Sequence, residues 1–558
     1  MQRLKFLFIL FILFFFLIIY RLAHWQIIES DKLGSAADLQ STRTLKIPAR
    51  RGQILSSDGS YIVANKRAYL LYAEPKKLKN KEAVEKILSE TLNIPISSIS
   101  AKLQDDSRLW VPLAHKIGSL EKEILERKKL PGLGFEEEDM RYYPESSMAA
   151  HLLGFVGSDV NGDDKGYFGI EGYYNRQLEG RAGILRQETD ARGLPILLGK
   201  SKRVEPENGR DLILNLDKSI QFIVEEKLKE GLEKYQAKGG WVVVMEPKTG
   251  AILAMASYPS YDPANFQNFD STFYKNPVVA ESYEPGSTFK SLIMASAINE
   301  NKVKPQTEFT EDGPLQIGGY TIKTWNNEYS GKTTATGILE RSSNVGMVKV
   351  GELLGKERLL EYIKNFGVGA YSNIDLEDEE VPDIRPTDKW YDIDYATATF
   401  GQGIALTAIQ MLKAVGALAN DGKMMEPHVV KAIINPDGKK IEIEPKVDKR
   451  LFSPETAHIL SEMLVSAVDN GEARFAKPKG YRIAGKTGTA QIPIAGHYDS
   501  EKTIASFVGY APASNPRFVM LTTLKEPSSS PWGSETAAPL FFTIAREIFK
   551  YYGIPPEN

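Results

Sequence analysis

The sequence predicts an α+β protein in three parts: one N-terminal membrane-crossing helix, an extended loop-rich module, and a compact domain of strands and helices. Three observations carry that reading. Positions 6–20 form an unbroken apolar run behind Arg3 and Lys5. Between about 45 and 205, short runs alternate with stretches rich in Gly, Tyr and Arg that have little periodicity. From Asp211 onward, helix caps and strand-length apolar runs follow one another closely.

The anchor comes first. Crossing a hydrocarbon core of about 30 Å takes about 20 helical residues. Phe6–Tyr20 is too short alone, but Leu4 and Leu22–Ala23 extend it. Lys5 and Arg21 can reach the two interfaces along their apolar stems. No small-x-small site follows the run, so 4–24 reads as an uncleaved anchor rather than a signal peptide. Arg3 and Lys5 then place residues 1–3 in the cytoplasm and everything after Arg21 outside the cytoplasmic (inner) membrane, in the periplasm or its equivalent.

Composition excludes several functions. Lys and Arg total 69 against 72 Asp and Glu, a net charge of −3, which leaves no electrostatic footprint for nucleic acid. The absence of cysteine removes disulfides, thiolate metal sites and a cysteine nucleophile. The six histidines are scattered with no pair at ligand spacing, so no metal site is expected.

Along the chain, a helix is expected to continue from Ala23 to about Leu39. Ser57-Asp58-Gly59 signals a hairpin turn, and residues 80–130 read as charged amphipathic helices. Asp217 caps a helix whose apolar face is Ile220, Val224, Leu228 and Leu232, expected to end at Gly239-Gly240. Trp241–Met245 and Ala251–Met255 read as strands joined at Pro247–Gly250. Thr407 with Gln410 makes a capping box, Ser453-Pro454 starts a helix closed by Gly471, and the last helix lies near 538–551, with no further module expected beyond it.

The chemistry concentrates in three short motifs. Glu284-Pro-Gly-Ser-Thr-Phe-Lys290 opens a nearly all-apolar, hence buried, helix. Ser287 sits in its first turn, where unpaired N–H groups favour developing negative charge. Lys290, three residues on, shares its face and can reach the serine oxygen. Burial makes the charged amine costly and so supplies a base without histidine. Ser342-Ser343-Asn344 falls in a break between helices. Lys486-Thr487-Gly488-Thr489 follows strand-like Tyr481–Gly485, whose end could aim one ammonium and two hydroxyls at a carboxylate. Each motif is weak alone. Ser119-Leu-Glu-Lys122 repeats the first on a polar surface, and Lys248-Thr-Gly250 repeats the third as a plain turn.

Ser-x-x-Lys, Ser-x-Asn and Lys-Thr-Gly-Thr in this order are the signature of serine penicillin-recognising enzymes. The chain resembles the class B penicillin-binding proteins over nearly all its length after residue 45. Glu284–Lys290, Arg341-Ser-Ser-Asn-Val-Gly346, Phe400-Gly-Gln-Gly-Ile404 and Gly485–Gln491 carry the likeness, as do Arg51–Ile54, Arg141–Pro144 and Gly169–Tyr174. Asn344, where other members have aspartate, resembles the division-specific, FtsI-type branch.

That resemblance implies an antiparallel sheet flanked by helices, the penicillin-binding-protein/β-lactamase-like transpeptidase domain, over 206–558. An elongated β-rich pedestal, the dimerisation-type domain, is implied over 25–205. It implies a D,D-transpeptidase crosslinking peptidoglycan at the division septum. Ser287 is the nucleophile, Lys290 its base, Ser342 a proton relay, and Asn344 a clamp on the peptide amide. Lys486, Thr487, Gly488 and Thr489 hold the terminal carboxylate, and the backbone N–H groups of Ser287 and Thr489 form an oxyanion hole. No cofactor is implied. The implied partners are the stem peptides of lipid-linked nascent strands, an FtsW-type glycan polymerase and other divisome membrane proteins, with β-lactams as inhibitors. Elongation-type transpeptidases, hydrolytic relatives (carboxypeptidase or β-lactamase) and a scaffold or sensor role remain as rivals.

Overall fold

The computed structural model describes all residues except 106–107, 161, 191–195, 197–198, 200, 495–496 and 558. Two compact units form: residues 1–51 with 179–209, and 52–178 with 210–558.

In the first unit, the helix Gln2–Ala23 passes through a wide turn at His24–Ile28 into a second helix, Ser30–Ser41. The apolar stretch Gln2–Ile28 is long enough to cross a membrane, and none of the side chains of Gln2–Ala23 is buried in protein. Arg21 lies over the Trp25 ring at 5.2 Å, a cation–aromatic pair suited to an interface. Strands Thr42–Ile47, Gly183–Glu188 and Ser201–Val204 form an antiparallel sheet.

The second unit carries a seven-stranded sheet. It joins Ile54–Leu55, Tyr61–Ala73, Val111–Ile117 and Leu133–Tyr142 to Asp211–Leu214, Val430–Ile434 and Lys440–Glu442. The expected hairpin is present, with Ile54–Leu55 pairing antiparallel to the strand beyond Gly59. Between 80 and 130 the expected helices appear at Lys81–Leu92, Ile96–Leu103 and Ser119–Arg127, but Val111–Ile117 is a strand. Its buried Val111, Leu113 and Ile117 are spaced for one strand face, and Pro112 opposes a helix interior. Behind these strands Arg141 and Glu171 form a buried ion pair at 2.6 Å, with Arg141 also donating to the Gly52 carbonyl. Three of the sequence segments that carry the family likeness thus meet at one point.

The core of residues 210–558 is a five-stranded antiparallel sheet. Its strands are β1 (Gly239–Met245), β2 (Ile252–Tyr258), β3 (Ala484–Ile494), β4 (His497–Ala511) and β5 (Phe518–Lys525), in the order β2-β1-β5-β4-β3. Helices α1 (Lys218–Tyr235), α2 (Lys290–Asn299), α3 (Asn344–Leu354), α4 (Ala408–Leu418), α5 (Pro454–Asn470) and α6 (Ala537–Tyr552) cover it. Strand alternation sorts the layers. Val242 and Val244 pack with α1 and α6, whereas Trp241, Val243 and Met245 pack with α2, α4 and α5. Both faces are therefore dry, which is why β1 reads as a continuous apolar run. Asp217 caps α1 as expected, through the N–H groups of Ser219 and Ile220. The helix stops earlier than its apolar face implied, at Tyr235 with Gln236 left-handed, and Gly239-Gly240 already belong to β1. The capping box at Thr407 and Gln410 forms, as does the Ser453 cap of α5.

Candidate active site

Ser287 lies in a 3₁₀ turn, Gly286–Phe289, that runs straight into α2. In that tighter helix residues three apart eclipse, so Ser287 and Lys290 share a face. The turn is held rigidly because α2 is buried from Lys290 to Ile298. A loop presses on it from one side. The Gly286 N–H donates to the Gly401 carbonyl at 3.0 Å, and a Cβ on Gly401 (φ +76°) would stand 2.3 Å from the Gly286 oxygen. The Phe400–Ile404 segment thereby sets the seat of Ser287.

Lys290 is 0% exposed. Its amine donates to the Ser342 carbonyl at 2.5 Å, the Ser342 hydroxyl at 3.2 Å and the Asn344 Oδ1 at 2.8 Å. The sequence expectation aimed this amine at the Ser287 oxygen; no hydrogen bond joins the two among the described residues. Ser342 is left-handed (φ 54°), which turns its carbonyl onto the amine. A neutral amine has two donors and one lone pair, so it can keep two of these three partners and offer the lone pair to Ser287. Burial holds the Lys290 amine well below the usual lysine range, and the nearby Lys486 cation lowers it further; Glu472 and Glu311 act in the opposite sense. Ser343 caps α3 by accepting from the Gly346 N–H at 3.0 Å, and Asn344 donates to the Lys323 carbonyl at 3.0 Å.

The third motif lies inside β3 rather than at the end of a strand. Thr487, Thr489 and Gln491 line the cleft, the two-residue period of one strand face. Lys486 falls between them on the other face, 4% exposed, and folds back to the Thr487 hydroxyl at 3.1 Å. Burial brings it down to about 8. The Thr489 hydroxyl accepts from the Gly533 N–H at 3.0 Å, and no residue with a Cβ fits at 533, where it would meet the Gly488 oxygen at 2.1 Å. Ser287, Ser342, Asn344, Thr487 and Thr489 thus surround one cleft of about 260 Å³.

Each half of that arrangement has counterparts among known proteins. Residues 240–550 match the penicillin binding protein transpeptidase domain, and residues 46–214 match the penicillin-binding protein dimerisation domain. The chain belongs to the penicillin-binding protein transpeptidase family. Over its whole length it is 34% identical to stage V sporulation protein D of Bacillus subtilis, of which it covers 87%. It is 29% identical to the peptidoglycan D,D-transpeptidase FtsI of Escherichia coli over 96% of this chain and 90% of that one. A peptidoglycan synthetase from Bifidobacterium adolescentis has a similar fold, with a TM-score of 0.75 at 26% identity over 93% of this chain and 98% of that one. Penicillin binding protein 3 of Mycobacterium tuberculosis, solved with aztreonam, gives 0.71 at 26% identity over 92% and 98%. The two-domain, class B, FtsI-type architecture inferred from the motifs is the one these relatives share.

Sequence reasoning left out several residues that line this cleft. Trp325 and Trp532 meet at the cleft with ring centroids 5.0 Å apart, and Glu472 also lines it. None lies in a motif; each comes from a connection whose path only the fold reveals. Ser119 lies on an exposed helix end with Lys122 paired to Glu126, and Lys248 sits in the β1–β2 turn, so the two motif repeats stand apart from the site.

Proposed function

We propose that the chain is a serine D,D-transpeptidase that crosslinks peptidoglycan stem peptides and is acylated by β-lactams. The observation that carries the reading is the convergence of Ser287, Lys290, Ser342, Asn344, Thr487 and Thr489 on one cleft, with both lysines buried. Ser287 attacks the penultimate D-alanine carbonyl while Lys290 takes its proton. The backbone N–H groups of Ser287 and Thr489 hold the oxyanion. Ser342 passes a proton to the departing D-alanine, Asn344 holds the peptide amide, and Lys486 with Thr487, Gly488 and Thr489 binds the terminal carboxylate. The amine of a second stem peptide then releases the acyl group from Ser287.

The domain boundaries of the proposal are a tail of 1–3, an anchor of 4–24, a pedestal of 25–205 and a catalytic domain of 206–558. The N-terminus lies in the cytoplasm and the catalytic domain outside the inner membrane, as Arg3 and Lys5 favour. The place of action is the division septum, beside an FtsW-type polymerase that the anchor and pedestal bind together with other divisome proteins; the FtsI relatives support it. The sporulation name of another relative favours a second setting for the same chemistry, wall synthesis during sporulation. Two experiments test these statements. Full-length protein supplied with polymerase and lipid-linked precursor gives crosslinked stem-peptide dimers; D-alanine release without dimers identifies a carboxypeptidase instead. Replacing residues 4–24 with an unrelated single span weakens co-purification with the polymerase and impairs septation; full retention of both confines docking to the pedestal.

A further inference from the structure

The cleft holds a carboxylate that the chemistry above does not use. Glu472 follows Gly471, the residue that ends α5, and lines the cleft together with Ser342, Thr487 and Thr489. It is the one carboxylate among the lining residues. Its side chain is exposed and, among the described residues, makes no hydrogen bond or ion pair. A solvated glutamate just past a helix end is ordinary on a protein surface. This one, however, lines the same cleft as Ser287, and the two nearby lysine amines are engaged elsewhere: Lys290 with Ser342 and Asn344, Lys486 with Thr487. Its negative charge reaches both amines all the same, opposing the lowering of each.

The two substrates would meet that charge differently. The donor peptide ends in a carboxylate, which Glu472 repels. The acceptor is an alkyl amine, a cation in water with a pKa of about 10.4. By microscopic reversibility its nitrogen enters where the D-alanine nitrogen departed, beside Ser342, and Glu472 lines the same cleft as Ser342. We propose that Glu472 docks the ammonium of the acceptor stem peptide and so sets the preference for aminolysis over hydrolysis. This inference rests on the transpeptidase reading.

The step balances as follows. The docked ammonium gives one proton to water at the open mouth of the cleft. The amine nitrogen bonds to the acyl carbon, the ester C–O bond to Ser287 breaks, and the second N–H proton returns to the Ser287 oxygen through Lys290. As the nitrogen lone pair forms the new bond, the nitrogen becomes positive, and the carboxylate of Glu472 stabilises that charge. Water arrives uncharged and gains no docking.

The test uses the full-length protein in detergent, a peptidyl thioester donor and Nα-acetyl-lysine amide, which carries an alkyl ammonium and no carboxylate, as acceptor. Aminolysis and hydrolysis products come from the same acyl-Ser287, so their ratio does not depend on acylation rate. Glu472→Gln is expected to lower the ratio five- to tenfold by raising the acceptor KM, with Glu472→Asp keeping most of it and Glu472→Lys losing more. That range is the fold-change of one partly exposed, charge-assisted contact. Labelled penicillin on Ser287 reports that each variant is folded. Normal labelling of wild type together with a Glu472→Gln ratio within twofold of wild type overturns this inference alone. A wild type that takes no penicillin on Ser287 overturns the transpeptidase reading and this inference with it.

Discussion

Replacing Lys290 by alanine should abolish acylation far more completely than replacing Lys486, and the geometry fixes the size of the gap. Lys290 is the amine that shares a face with the nucleophile, fully buried and bonded to Ser342 and Asn344. Losing a general base removes roughly 10² to 10⁴ in rate. Among the described residues Lys486 donates hydrogen bonds only to Thr487, and in the proposed mechanism it acts on the carboxylate of the substrate. Losing one charge-assisted hydrogen bond there costs about 1.5–3 kcal/mol, or roughly 10- to 100-fold. Taking matched ends of the two ranges, Lys290→Ala should be slower than Lys486→Ala by about 10- to 100-fold. The assay is the second-order rate constant for labelling by a fluorescent penicillin, on full-length proteins whose thermal transitions are measured in parallel. Lys290→Met fills the space the alanine leaves and separates the loss of the base from the loss of packing. Acylation of both Lys290 variants within threefold of wild type, or a larger loss in Lys486→Ala, refutes the assignment of the base.

Three further outcomes follow from the same structure. Lys486 sits at about 8 in the folded protein against an ordinary 10.5, so between those values the unfolded chain binds more protons and stability rises with pH. Below about 8 that burial costs about 3 kcal/mol. Lys486→Met should thus be more stable than wild type at pH 7 in urea melts, with an advantage that shrinks toward pH 10; an advantage that grows with pH contradicts the burial argument. Glu171→Gln leaves the buried Arg141 charge uncompensated and should cost about 3–5 kcal/mol by the same melts, with unchanged acylation by the folded fraction. Gly401→Ala drives a methyl group into the Gly286 carbonyl in a left-handed conformation, so penicillin labelling per folded molecule should fall at least tenfold and, because the clash is with backbone, the melting transition should fall as well.

Much of this was legible in the chain because the relevant signals are local. The apolar span, the Asp217, Thr407 and Ser453 caps, and the β1–β2 hairpin are each written in one short stretch of consecutive residues. Ser287 and Lys290 could be paired because one helical turn fixes their relation. The strand Val111–Ile117 escaped because its polar half resembles the flanking helices and its partner, Tyr61–Ala73, is remote in sequence. The engagement of Lys290 by Ser342 escaped for a related reason. It depends on one left-handed residue 52 positions away, and a serine does not advertise a positive φ. Lys486 looked as if it shared an aim with Thr487 and Thr489, but strand alternation puts it on the opposite face, and only its long stem brings the amine back. Glu472, Trp325 and Trp532 carry no local signal at all, since the fold alone brings their connections to the cleft.

The most direct measurement of the central claim is the site and lifetime of a labelled penicillin adduct on the full-length protein, read by peptide mass spectrometry over time. A single adduct on Ser287 that persists for many minutes, absent from Ser287→Ala, is the expected result. Label on Ser119 or elsewhere, or an adduct on Ser287 that hydrolyses within seconds with continued turnover of the drug, contradicts the transpeptidase account.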